Sequence, residues 1–212
     1  MLRIFFATVL LFSALCVDAS NLSTLIPRPE RVEKRSGVFT ILTTTQITHY
    51  SSLRPSALYL AEYLPLLVRD YNADAEGNIV LREDKNLAPE EYVLDISERG
   101  ITIDGGSAAG VHNGIETLLQ ILPPQIYACE APLPLRVPCC RVEDAPRYGY
   151  RGFMLDVGRK FFTLDYLKQQ IKVLSFYKMN EFQIHLNDNG FPQFFDNDWN
   201  KTQAAFRLEC ET

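Results

Sequence analysis

"FMLDVGRKFF", residues 153–162, is the stretch on which the reading of this chain turns. Phe153 to Val157 holds four apolar residues and one acid, the composition of a largely buried strand. Gly158, Arg159 and Lys160 then deliver a cationic pair at its end. The residues downstream supply the context. Thr163 can cap a helix, Asp165 in the first turn suits the helix dipole, and Leu164, Leu167, Ile171 and Leu174 recur at helical spacing. Asn180 to Leu186, "NEFQIHL", alternates, with Phe182, Ile184 and Leu186 on one face. Strand, helix and strand with a crossover of about twenty residues predict a parallel βαβ unit. Arg159 follows the first strand and Asp188 the second. Adjacent strands lie about 4.8 Å apart, so both loops open on one mouth. A guanidinium there offers a planar fork of donors suited to vicinal hydroxyls. Asp188 can accept from a hydroxyl or orient a partner. The spacing alone fits a structural ion pair between the two loops equally well.

Upstream, the texture is α+β. "GVFTIL" (37–42), "NIVLRE" (78–83), "EYVLDISE" (91–98) and "GITIDGG" (100–106) read as strands. Ala57, Leu58, Leu60, Ala61, Leu64, Leu67 and Val68 fall at helical spacing, with Pro55 near the first helical position and Pro65 placed to kink or shorten the helix. Residues 108–121 form a second predicted helix, with glycines in its N-terminal half, ended by "LPP". "APLPLRVPCCRVEDAPRYGY" (131–150) is rich in proline and shows no period over its length. It reads as a linker, with the domain boundary near Asp144.

The first nineteen residues carry Arg3, an apolar run from Ile4 to Leu15, and Val17-Asp18-Ala19 before Ser20, the layout of a cleavable signal peptide. The run is shorter than the roughly 18 apolar residues of a spanning helix. The expectation is export, periplasmic or extracellular. Cleavage would remove one cation and one acid, so the formal charge of -5 is unchanged. An acidic chain argues against a nucleic-acid partner. Export permits disulfides, but Cys129, Cys139, Cys140 and Cys210 fit no zinc spacing, and adjacent Cys139 and Cys140 point to opposite sides of an extended chain. They read as buried or incidental thiols. Asn21-Leu22-Ser23 and Asn200-Lys201-Thr202 match glycosylation acceptors.

"YRGFMLDVGRKFF" followed by "YKMNEFQIHLNDNG" resembles the opening of the catalytic barrel of glycoside hydrolase family 20, the β-N-acetylhexosaminidases. "ITIDGGSAAGVHNGIETLLQIL" and "APRYGYRG" resemble that family's N-terminal α+β domain and its approach to the barrel. After the signal peptide over 1–19, the resemblance implies an α+β domain over 20–144, and over 145–212 the first units of a (β/α)8 TIM barrel, truncated. It places Arg159 on the arginine that binds the ring hydroxyls of a terminal N-acetylhexosamine. Asp188 falls on the aspartate that supports the catalytic acid through a histidine. Lys160 stands where the family commonly has His, Asn189 where a second Asp is usual, and Gln183 where a His-x-His begins.

The family's chemistry, as the resemblance implies it, is retaining hydrolysis assisted by the substrate, whose own acetamido oxygen is the nucleophile. An Asp orients that group and the adjacent Glu protonates the leaving oxygen. No Asp-Glu dipeptide occurs after Asp165, and a (β/α)8 barrel needs about 250 residues. The expectation is therefore the front portion of a longer enzyme, inactive by itself, with no metal or organic cofactor and with a glycan bearing terminal N-acetylglucosamine or N-acetylgalactosamine as partner. The alternative is a complete, non-catalytic exported module that binds glycan or protein. His185 reads as an interior packing residue, Asp156 as a satisfied structural acid, His49 and His112 as uninvolved in chemistry, and Trp199 as packing before sugar platform.

Overall fold

The computed structural model describes residues 22–71, 78–127, 133–158, 160–186, 193, 196–198 and 201. A seven-stranded sheet occupies the N-terminal part. Its strands are β1 (Arg31–Ile41), β2 (Gln46–His49), β3 (Leu67–Asp70), β4 (Ile79–Glu83), β5 (Tyr92–Ser97), β6 (Gly100–Gly105) and β7 (Leu135–Asp144). The spatial order is β1-β7-β5-β6-β4-β2-β3, antiparallel from β1 to β6 and parallel from β6 to β3. Helices α1 (Arg54–Ala61) and α2 (Ala108–Ile121) pack against it. The core lies between them, where Leu94, Ile96, Ile101 and Ile103 of the sheet meet Val111, Ile115 and Leu118 of α2, all with no exposure. Ser107 caps α2 by accepting from the Ala109 amide. This is the α+β domain expected from the alternation of β5 and β6 and the apolar run of α2.

Two expectations are corrected. The helical stripe does not continue to Val68: α1 ends at Ala61, before Pro65, and Leu67 and Val68 belong to β3. Pro65 lacks the amide a continuing helix needs. The second correction concerns the proline-rich stretch, because residues 135–144 are an interior strand and not a linker. Its core-facing residues shift from Leu135 and Val137 to Cys140 and Val142, so no single period spans it. The ladder with β1 is irregular at the same place, between Lys34 and Val38. Pro138 is tolerated because pairing with β5 starts only at Cys140. Cys139 and Cys140 are buried free thiols, as expected. Cys129 and Cys210 lie outside the described residues.

Beyond Asp144 the chain forms β8 (Gly152–Asp156), α3 (Leu164–Phe176) and β9 (Glu181–His185). The two strands pair in parallel, from Gly152↔Glu181 to Asp156↔His185. Thr163 caps α3 by accepting from the Tyr166 amide. This is the predicted βαβ unit. Two strands alone do not define a barrel. No residue of α3 is buried, and Phe153, Met154, Leu164 and Ile171 are exposed. Among the described residues no helix is long and apolar enough to cross a membrane.

Candidate functional site

Every pair in the β8–β9 ladder is separated by 29 positions, as Asp156↔His185 is. Arg159 and Asp188 are separated by the same number and stand three positions beyond the last pair on their respective strands. Both residues lie outside the described ones, as do Asn189 and Trp199. What is described is the strand pair that precedes positions 159 and 188 in sequence. The Val157 and Gly158 amides both donate to the His185 carbonyl (3.0 and 3.1 Å), closing the C-terminal end of the pair. Phe153 and Phe182 stack across the ladder at 6.3 Å. Lys160 is exposed, with Nζ 5.7 Å from the Phe162 ring, which stacks in turn on Tyr166 at 4.8 Å. His185 and Asp156 are half-buried partners in register.

The opposite, N-terminal ends of β8 and β9 are joined to the large sheet by polar groups. Lys178 Nζ donates to Tyr92 Oη (2.8 Å) and Asp144 Oδ2 (3.1 Å) and lies 4.8 Å from the Tyr92 ring. Tyr92 Oη lies 2.7 Å from Thr117 Oγ1. Burial pushes the Lys178 ammonium down, against the pull of Asp144. Burial, with the Asp144 charge, pushes the Tyr92 phenol well up. Arg151 pairs with Glu90 and donates from Nε to the Lys178 carbonyl (2.7 Å). A cavity of about 920 Å³ opens at this seam, with Glu90, Tyr92, Asp144, Arg151 and Lys178 in its wall. It lies at the N-terminal ends of β8 and β9, opposite the end that Val157 and Gly158 close.

A second seam joins α2 to α3. Ser175 Oγ donates to Glu116 Oε1 (2.6 Å) and lies 2.6 Å from His112 Nε2. Tyr59 Oη donates to the same carboxylate oxygen (2.8 Å), and burial pushes that phenol up. Serine, histidine and acid are thus together, but not as a nucleophile relay. The relay needs the acid on the imidazole nitrogen that faces away from serine, whereas here Nε2 faces both Ser175 and Glu116, the latter at 3.2 Å. His112, read from sequence as outside the chemistry, is a contact of this seam. His49 is buried and donates from Nδ1 to the Tyr50 carbonyl (2.8 Å). Sequence reasoning missed Lys178, Asp144, Tyr92 and Glu90. For the second seam one signal was available: Glu116 stands in a mostly apolar stretch, "GIETLLQIL", where an acid needs a partner.

Comparison with known proteins agrees with this architecture. Residues 22–145 match glycosyl hydrolase family 20, domain 2, and residues 148–197 match the catalytic domain of the same family. A β-hexosaminidase of Porphyromonas gingivalis is 33% identical over 175 residues, covering 78% of this chain and 22% of that protein. The family 20 β-N-acetylhexosaminidase of Streptomyces coelicolor superposes with a TM-score of 0.74 at 35% identity, over 80% of this chain and 36% of that one. The exo-β-N-acetylglucosaminidase of Vibrio harveyi, solved with N-acetylglucosamine, superposes with a TM-score of 0.69 at 29% identity, over 79% of this chain and 26% of that one. The chain therefore spans about a fifth to a third of the length of these relatives. With the family's domain 2 matched over more than half of its residues and the catalytic domain's pattern following directly, the chain belongs to glycosyl hydrolase family 20.

Proposed function

We propose that this chain is the N-terminal portion of an exported β-N-acetylhexosaminidase that removes terminal N-acetylhexosamine from glycans by substrate-assisted, retaining hydrolysis. In this reading residues 1–19 are a signal peptide, 20–144 the α+β domain, and 145–212 the first units of the catalytic (β/α)8 barrel. Arg159 binds ring hydroxyls of the terminal sugar, and Asp188 supports the catalytic acid. The observation that carries the reading is the β8–β9 ladder. Its constant offset of 29 is also the separation of Arg159 and Asp188, each just past the C-terminal end of one of two adjacent parallel strands. In barrels of parallel strands, ligand groups come from those loops. The relatives' names supply the substrate class. No Asp-Glu dipeptide of the kind that chemistry uses occurs among these 212 residues, so the chain by itself is proposed to be inactive.

The test is to follow the coding frame as far as it runs past codon 212, express its product, and assay an aryl N-acetylglucosaminide beside the 212-residue chain. The full product should turn over and the 212 residues should not. Arg159→Ala in the full product removes charged hydrogen bonds of about 1.5–3 kcal/mol each, so kcat/KM should fall by roughly 10- to 200-fold. Unchanged kinetics in that variant, or turnover by the 212 residues, overturns the assignment.

A further inference from the structure

Helix α3 ends in a conformation its own backbone does not favour. The Met179 amide donates to the Leu174 carbonyl (2.9 Å) and the Lys178 amide to the Ser175 carbonyl (2.7 Å), the paired bonds of a Schellman turn. The residue in the left-handed position of that turn is Lys178, with φ of 58°. Glycine is the usual occupant, because a Cβ there crowds the backbone. Lys178 is also buried, its side chain only 7% exposed, and lysines are almost never buried unless paired. Backbone strain and desolvation of a charge therefore fall on one residue. The compensation is the bridge its ammonium makes to Tyr92 and Asp144, which are register partners on the adjacent strands β5 and β7.

We infer that Lys178 is a positioning residue for the proposed sugar-binding end of β8 and β9. With Arg151 it fixes the N-terminal ends of both strands on the large sheet, and so holds the register of the ladder up to its last pair, Asp156↔His185. The connections are continuous. Arg151 Nε donates to the Lys178 carbonyl (2.7 Å), its amide donates to Asn180 Oδ1 (2.9 Å), and its carbonyl accepts from the Asn180 amide (3.0 Å). Residues 151 and 180 stand one step before the first ladder pair, Gly152↔Glu181. Four steps further the ladder reaches Asp156↔His185, where Val157 and Gly158 close it on His185. The inference rests on the reading of Arg159 and Asp188 as ligand groups, but the clamp is testable without any sugar.

The experiment is amide hydrogen exchange on the 212-residue chain. Val157 and Gly158 report the far end of the ladder, and Leu94 and Ile103 report the large sheet. Lys178→Gly gives the turn the residue its backbone prefers while deleting the bridge and leaving Asp144 without its cation, held only by the Tyr92 hydroxyl (3.3 Å) and the Glu30 amide (3.2 Å). Exchange at Val157 and Gly158 should rise by on the order of a hundredfold, with Leu94 and Ile103 still protected. A lysine that served only to stop the helix would leave that protection unchanged or improve it, and either result overturns the inference. If Lys178→Gly unfolds the whole chain, Tyr92→Phe decides, since it keeps the ring and removes only the hydroxyl. An increase of roughly tenfold at Val157 and Gly158 supports the clamp, and no change overturns it. A parent chain already unprotected at these two amides overturns it as well. Failure of Arg159→Ala to alter sugar hydrolysis would remove the functional reading while leaving the exchange result untouched, so the two failures are distinguishable.

Discussion

Gly110→Ala tests how α2 is seated, and with it the helix face that carries His112, Glu116 and Gln120 toward α3. A Cβ at Gly110 would press into the Glu91 carbonyl oxygen and stand 3.1 Å from the Pro89 carbonyl and 3.2 Å from Gly105 Cα. All three are backbone atoms, so no side chain can swing aside. The Glu91 carbonyl is also held in place, because it accepts from the Gly106 amide at 3.0 Å. Overpacking of this kind costs about 1–3 kcal/mol, and displacing the carbonyl forfeits a hydrogen bond of about 0.5–1.5 kcal/mol. Alanine returns at most about 1 kcal/mol of helix propensity, less here because Gly110 is in the first turn. The net is a destabilisation of about 2 kcal/mol, or roughly 8 °C in Tm for a domain of this size. Thermal and urea unfolding followed by circular dichroism measures it. Gly149→Ala, where an added Cβ meets nothing within 4 Å, is the control and should stay within about 0.5 kcal/mol of the parent. A Gly110→Ala chain as stable as the parent would refute the close seating of α2 on the start of β5 and the end of β6.

Two further outcomes concern the titrating groups. Burial raises the Cys139 thiol and pushes Cys140 up to about 12, so at about pH 8 a disulfide reagent should label neither until denaturant is added. Peptide mapping that finds either labelled rapidly in the native chain contradicts the burial. Glu143 is held below the usual carboxylate range, chiefly by its hydrogen bond from Arg141 (2.7 Å). Its folded pKa lies below its unfolded one, so its contribution is present above the ordinary carboxylate pKa and is lost as pH falls through the folded value. The difference in urea midpoint between parent and Glu143→Gln should therefore shrink between about pH 6 and about pH 3, and a constant gap would show that the pair contributes nothing.

What sequence could and could not reveal divides along physical lines. β5 and β6 were legible because each buries one face, so period 2 survives intact, and α2 because it is enclosed on most sides and so reads as a long, largely apolar run ended by proline. β7 was hidden by its own geometry. Its core-facing side changes phase between Val137 and Cys140, and Pro138 reads as a breaker unless one knows that β5 stops short of it. β3 was hidden for a different reason: Leu67 and Val68 continued a helical count that Pro65 had already ended. The βαβ unit was legible from local pattern, since cap, stripe and alternation all lie within one crossover. The seams were not. Lys178 and Asp144 are 34 positions apart and Arg151 and Glu90 are 61 apart, and nothing local distinguishes these from solvated surface charges.

The division of labour between the two parts explains why those seams matter to the proposed site. The large sheet is held by burial, with Ile41, Ile47, Leu94 and Ile103 fully enclosed. The βαβ unit is not. α3 buries no residue, and Phe153, Met154, Leu164 and Ile171 keep from 42% to 66% of their surface exposed. Burying such a side chain contributes about 1.5–3 kcal/mol, a contribution those four largely forgo in this arrangement. The contacts that orient the unit are instead concentrated at one end, in Arg151, Ser175, Lys178 and Asn180. Directional polar contacts fix register more sharply than they add stability. A ligand group placed beyond the opposite end of such a pair is therefore only as well aimed as the ladder between them, five residue pairs long. If positions 159 and 188 bind sugar as proposed, affinity should track the order of that ladder more closely than the overall stability of the chain. A substitution in the large-sheet core would lower Tm without loosening the C-terminal end of the ladder, and one in the polar seam would do the reverse.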